Sequence, residues 1–135
     1  MDILPVRDRS FDLVLAHGIW NLARSGVEFR RAVAEAARVS RPGASLFVFT
    51  FSRHTLPESV VPVSGETFVF TEFSGSPQTF LKEDELLAEL AAVGFQPDPG
   101  VPLAEHNRPP KGDLRRKGGP VIYEGAFRIG SDPAK

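Results

Sequence analysis

Cysteine is absent from the 135 residues, which excludes disulfides, thiolate metal sites and a cysteine nucleophile and permits an intracellular home. No apolar run approaches the ~20 residues that a membrane-spanning helix needs. The opening ten residues carry charges where a secretory signal would be apolar, so a cytoplasmic location is expected. An excess of one charge is also missing: sixteen basic residues stand against seventeen acidic ones, for a net charge of -1. That balance leaves no bulk electrostatic footprint for nucleic acid or an anionic membrane, and neither is an expected partner. No serine lies in a nucleophile-elbow motif. The histidines, His17, His54 and His106, share neither close helical spacing nor a carboxylate motif, so no metal site is expected. What is present, 41% hydrophobic and 24% charged residues, describes one globular domain over 1–135.

The run Phe11-Asp12-Leu13-Val14-Leu15-Ala16 is almost continuously apolar after its Asp, which predicts a strand buried on both faces. Ser25 stands three residues before Glu28, the spacing of a capping box, and opens a predicted helix whose inner face carries Phe29, Ala32, Val33, Ala36 and Ser40. Arg31 and Glu35 lie four apart on its wet side. Arg41-Pro42-Gly43 is expected to close the helix. Ser45–Phe51 then reads as a second buried strand. Strand, helix and strand make a βαβ unit, with parallel strands and a right-handed crossover. Residues 52–80, interrupted by Pro57, Pro62 and Pro77, read as a long excursion with a small hairpin near Thr67–Thr71. A second helix is predicted over Glu83–Val93, stopped by Gly94, with Phe95 placed for the contact that accompanies a glycine cap. Val121–Ile129 reads as a last strand, and residues 131–135 as a frayed tail.

Four pieces of this chain, in this order, resemble class I S-adenosylmethionine-dependent methyltransferases of the small-molecule "methyltransferase domain" type. They are Asp2-Ile3-Leu4-Pro5 leading to Ser10-Phe11-Asp12-Leu13-Val14; Arg38-Val39-Ser40-Arg41-Pro42-Gly43 before an apolar strand; Phe80-Leu81 before an acidic helix; and Val93-Gly94-Phe95. The resemblance implies an α/β fold, a partial Rossmann-like methyltransferase sheet holding strands four to seven of seven, the last antiparallel, with flanking helices. It identifies the chain as the C-terminal half of such an enzyme, lacking the N-terminal glycine-rich cofactor loop. The glycines Gly43, Gly65, Gly75, Gly94 and Gly100 are isolated, and Gly118-Gly119 follows no apolar strand.

The same resemblance implies the site. Asp2 would accept from the adenine amino group of S-adenosylmethionine while the Ile3 N–H donates to the ring; both equally suit a solvated chain end. Ala16, His17 and Gly18 would line the cofactor at the carboxyl end of the first strand, with His17 alternatively a general base or a structural turn residue. Trp20 would cover the cofactor or line the substrate pocket, against a plain core role. Arg53 and His54, just after the second strand, would contact substrate or form an ordinary loop. Asp12 sits at the strand entrance and suits a structural hydrogen bond. Residues 108–117 hold five basic side chains against one acidic, while 51–100 hold two against eight. The basic stretch would meet an anionic substrate or be a solvated loop.

The implied function is S-adenosylmethionine-dependent methyl transfer to a small-molecule acceptor, with the chain by itself binding the cofactor weakly or not at all and being inactive. An alternative is a non-catalytic remnant that self-associates or binds a partner. The first strand would present a bare edge to a second copy, or to a complementing N-terminal half.

Overall fold

The computed structural model describes residues 5–107 and 120–130. In chain order the elements are β1 (Phe11–His17), α1 (Gly26–Val39), β2 (Ser40–Phe51), β3 (Val69–Phe70), β4 (Gln78–Thr79), α2 (Glu83–Ala91), β5 (Phe95–Pro97), β6 (Ala104–His106) and β7 (Ile122–Ile129). β1 and β2 are parallel neighbours, with Val14 opposite Leu46 and Ala16 opposite Val48, and α1 crosses between them. That is the predicted βαβ unit.

α1 starts where the Glu28 N–H donates to Ser25 Oγ at 3.0 Å. The return bond falls one residue early, since the Glu28 carboxylate accepts from the Arg24 N–H at 2.9 Å. Phe29, Ala32, Val33 and Ala36 are buried against the sheet as their spacing requires. Glu35, expected on the wet side, is buried; it accepts from Arg38 Nε at 2.8 Å, and the same guanidinium reaches the Val6 carbonyl at 3.0 Å and Asp8 at 2.6 Å. Arg38 thus ties the segment entering β1 to the helix. Those two carboxylates, Glu35 foremost, hold its pKa still further above its ordinary value.

The expected closing turn, Arg41-Pro42-Gly43, lies inside β2 instead, because pairing already begins at Ser40 opposite Phe11. The register slips between Phe11 and Leu13, and Gly43 takes φ +81° in the extra length of β2. Asp12 accepts from Arg41 at 3.0 Å, a structural bond at the strand entrance.

β7 runs antiparallel to β2, with Phe47 opposite Ala126. β5 and β6 both pair with β7, so the main sheet has the order β1-β2-β7-β5 with β6 alongside β7; β3 and β4 form a separate antiparallel ribbon. Seven strands and two α-helices are therefore present among the described residues, which corrects the expectation of strands four to seven alone. β3 and β4 are the small hairpin expected within residues 52–80, whereas β5 and β6, three residues each, are too short for hydrophobic alternation to register.

A second correction concerns β1. It was expected to be buried on both faces, yet Leu13 and Leu15 are 55% and 62% exposed. Val14 and Ala16 pack into the core beneath α1, whereas the alternate residues point to the other face of a strand that ends the sheet.

α2 follows the same rules as α1. The Glu85 carboxylate accepts from the Lys82 N–H at 2.8 Å, Leu86 and Leu90 are fully buried, and Gly94 leaves the helix at φ +100°. Beneath residues 52–80 a smaller core of Leu56, Phe70 and Phe80 forms, with Phe51 and Val60 packed on it. At Gly125 a Cβ would stand 2.8 Å from the Leu103 Cα. Glycine there lets the preceding loop pass close over β7 and deliver β6 in register, with Glu105 opposite Tyr123. The basic stretch 108–117 and the tail 131–135 lie outside the described residues.

Candidate functional site

β1 and β2 are parallel, so their carboxyl ends share one edge of the sheet, the place where open α/β sheets receive ligands. At the end of β1 the His17 ring stacks on Phe49, 4.4 Å between centroids. The Gly18 N–H donates to the Phe49 carbonyl at 2.8 Å and closes the turn. Gly18 has φ +69°, and a Cβ there would meet nothing within 4 Å. Ala16 is buried just before it.

β2 leaves the sheet through Ser52 into a short 3-10 turn, Arg53–Thr55. Ser52 Oγ accepts from the His54 N–H at 3.0 Å and caps that turn. Thr55 Oγ1 donates to the Val121 carbonyl at 3.0 Å and accepts from the Val121 N–H at 2.9 Å, locking the turn to the start of β7. Across β7, β6 brings in Glu105, whose Oε2 accepts from Ser52 Oγ at 2.6 Å and lies 2.6 Å from His54 Nδ1. The buried Tyr123 hydroxyl bonds to the same pair, Ser52 and Glu105. Burial pushes the Tyr123 phenol up; the Ser52 bond opposes this, and the charges of Glu105 and Glu83 add to it.

An open cavity of about 540 Å³ lies against this group, lined by Arg53, His54, Leu56, Val60, Phe70 and Lys82 among others. Arg53 shapes its wall. Its guanidinium donates to the carbonyls of Leu56, Pro57 and Val60 at 3.1, 3.1 and 3.0 Å and lies 4.7 Å from the Phe70 ring centre. With these carbonyls and that of Glu58, at 3.5 Å, as partners, it organises residues 56–60 as much as it presents charge to the cavity.

The structure thus brings Arg53 and His54 to one cavity, and His17 and Gly18 to the neighbouring strand end. Asp2 and Ile3 lie outside the described residues. Trp20 is buried in the main core, edge-on to Phe29 at 5.9 Å, with its carbonyl accepting from Thr79 Oγ1 at 2.8 Å. It also borders a small apolar groove between β1 and α1 with Val14, Leu15 and Ile19. Ser52, Glu105 and Tyr123 escaped the sequence reading. Glu105 is 51 residues from His54, and only the pairing of β6 with β7 joins them.

For S-adenosylmethionine, implied by the resemblance, the strand end supplies a backbone turn with open space above Gly18, which fits a ligand laid close to the main chain. Among the described residues no group of three or more His, Cys, Asp or Glu side chains could hold a metal. No described helix is long and apolar enough to cross a membrane.

Residues 1–48 match the family described as "Methyltransferase domain". A demethylmenaquinone methyltransferase of Corynebacterium urealyticum is 29% identical over 69% of this chain and 46% of its own length. Among solved structures, a SAM-dependent methyltransferase from Methanosarcina mazei superposes with a TM-score of 0.73 at 19% identity, over 97% of this chain and 65% of that one. A [4+2]-cyclase gives 0.63 at 20% identity, over 96% of this chain and 54% of its own. The chain therefore spans about half the length of the curated relative and 65% of the Methanosarcina protein. The expectation of a C-terminal remnant is overturned by this likeness, which takes in 97% of the chain and its seven strands. At these identities the comparison shows architecture, and the architecture of this chain is the fold of the S-adenosylmethionine-dependent methyltransferases.

Proposed function

We propose that this chain takes part in methyl transfer from S-adenosylmethionine to a small-molecule acceptor. The observation that carries the reading is the fold likeness over 97% of the chain to a SAM-dependent methyltransferase. The shared carboxyl edge of β1 and β2 supports it: β1 ends there in the Gly18 turn, and the residues that follow β2 line a cavity of acceptor size. When bound, the cofactor supplies an electrophilic methyl group on a sulfonium. Ala16, His17 and Gly18 line it at the end of β1, with Asp2 and Ile3 on its adenine. Arg53 and His54 border the acceptor, so that the chain's main contribution is to hold donor and acceptor in line. A cytoplasmic location, consistent with the lack of cysteine, belongs to the same reading.

Fold alone does not fix chemistry, as the [4+2]-cyclase of like architecture illustrates. The test is to isolate the protein carrying this sequence from its own cells, look for retained S-adenosylhomocysteine by native mass spectrometry, and supply methyl-labelled donor with a cell metabolite extract. Retained nucleoside and label in a small-molecule product are expected. Absence of both would overturn the reading.

A second reading, a self-associating module, is favoured by one observation: β1 ends the sheet with Leu13 and Leu15 exposed. Antiparallel pairing of two β1 strands about Val14 would set Leu13 opposite Leu15 and place no charge within Leu13–Ala16. Sedimentation velocity should then show a dimer that Leu15→Lys dissociates. A wild-type chain that stays monomeric as its concentration is raised would eliminate this association.

A further inference from the structure

We infer that His54 is the general base of this site, held in place by Glu105, and that the acceptor carries an ionisable hydroxyl, of the phenol type, on an apolar body. This rests on the methyl-transfer reading and adds to it the acceptor class and the fate of the proton.

Three observations converge. The Glu105 carboxylate lies 2.6 Å from His54 Nδ1, so the neutral imidazole carries its proton on Nδ1 and keeps a lone pair on Nε2. Nε2 has no hydrogen-bond partner among the described residues, and the ring lines the cavity. Glu105 is itself fixed: Ser52 Oγ donates to it at 2.6 Å, the buried Tyr123 hydroxyl bonds to it, and its backbone sits in the β6–β7 ladder. Nucleophile-free acid–base sites are built this way, a base at the cavity wall with a second group choosing its tautomer. The cavity wall supplies the other half of the match. Leu56, Val60 and Phe70 offer apolar surface for a ring, and Arg53 and Lys82 balance the carboxylates Glu58 and Glu85 on the same lining, so the wall suits a neutral hydroxyl that ionises only as it meets His54.

The step balances without a further reactant. The acceptor hydroxyl gives its proton to His54 Nε2, whose lone pair forms the new N–H bond. The electron pair left on the acceptor oxygen forms the bond to the methyl carbon, and the pair of the carbon–sulfur bond stays on sulfur as a neutral thioether. Glu105 faces the imidazolium so formed and stabilises it. His54 touches the reacting proton and is catalytic; Glu105 acts through it and is a positioning residue.

The test needs no methyl donor. 4-Nitrophenol is added to the full chain at a pH below the phenol's own pKa, with binding followed by equilibrium dialysis and ionisation by the phenolate absorption band. Wild-type protein should bind the probe and raise the phenolate band. His54→Gln should bind it without that rise, while keeping the wild-type circular dichroism and melting temperature. Nitrogen-15 NMR of the His54 ring should show the proton on Nδ1 in the wild type, and a mixture of tautomers in Glu105→Gln. Once an acceptor is known, His54→Gln should lower kcat by about 10²–10⁴-fold with KM little changed, and Glu105→Gln should lower it by less.

A phenolate band that persists in His54→Gln, a probe that binds without ionising, or a probe that does not bind at all would each overturn the assignment. Because none of these readouts involves S-adenosylmethionine, a protein that ionises the probe yet neither retains the nucleoside nor labels a small molecule would remove the methyl-transfer reading and leave the base standing.

Discussion

Truncating Phe29 to alanine should lower the unfolding free energy by about 3–5 kcal/mol, the cost of deleting a buried aromatic and leaving its cavity. For a chain of this length that corresponds to a fall in melting temperature of about 10–20 °C. Phe29 is 0% exposed at the first turns of α1. It meets Trp20 edge-on at 5.9 Å and Phe68 at 5.3 Å, so one side chain joins the turn after β1, the helix and the chain entering β3. Removing it takes an edge contact from each of two buried rings, Trp20 and Phe68, in an interior whose close packing lets the gap refill only in part. Thermal unfolding followed by circular dichroism measures this directly. A drop of only a degree or two would mean that the helix is not seated on the sheet through this residue.

Phe80→Ala should cost a similar amount by the same mechanism, yet the loss should be distributed differently. Phe80 is fully buried in the smaller core beneath residues 52–80, stacked on Phe51 at 5.5 Å and touching Phe73 and Phe70 at 5.9 and 6.1 Å. Phe70 lines the cavity and lies under Arg53. The excursion should therefore open before the main sheet does, as a separate low-stability unit. Hydrogen exchange should show fast exchange at backbone amides of residues 56–80 in the variant while those of α1, β2 and β7 stay protected. Acceptor binding should weaken with it. Uniform loss of protection across both regions would show that the two cores melt as one unit.

Much of the framework was legible in the sequence because its signals are local. The two apolar runs became β1 and β2, the Ser25 cap and the spacing of Phe29, Ala32, Val33 and Ala36 placed α1, and Gly94 stopped α2. Each depends on residues within a few positions of one another, where propensity and periodicity act. The same approach also held for the small hairpin of residues 52–80, where β3 lies within Thr67–Thr71 and pairs with β4, but it failed for β5 and β6. A three-residue strand such as Phe95–Pro97 has no period of its own and exists because β7 offers it a backbone partner. It failed also for the start of β2, since pairing with Phe11 outweighs the turn tendency of Arg41-Pro42-Gly43.

The candidate site divides along the same line. Arg53 and His54 were recognisable because they follow a predicted strand at the edge where ligands bind. Their roles were not, since Arg53 spends its donors on four carbonyls of its own excursion and His54 meets a carboxylate 51 residues away.

What the sequence determined by itself was the βαβ unit, the helix faces, the absence of thiol chemistry and a resemblance to methyltransferases, because these depend on neighbouring residues or on composition. What only the tertiary structure decided was the exposure of Leu13 and Leu15 and the meeting of His54, Ser52, Glu105 and Tyr123. Those depend on which strand ends the sheet and on the register of β6 against β7. Strand order and register are set by the packing of the whole sheet, and no local stretch of sequence contains them.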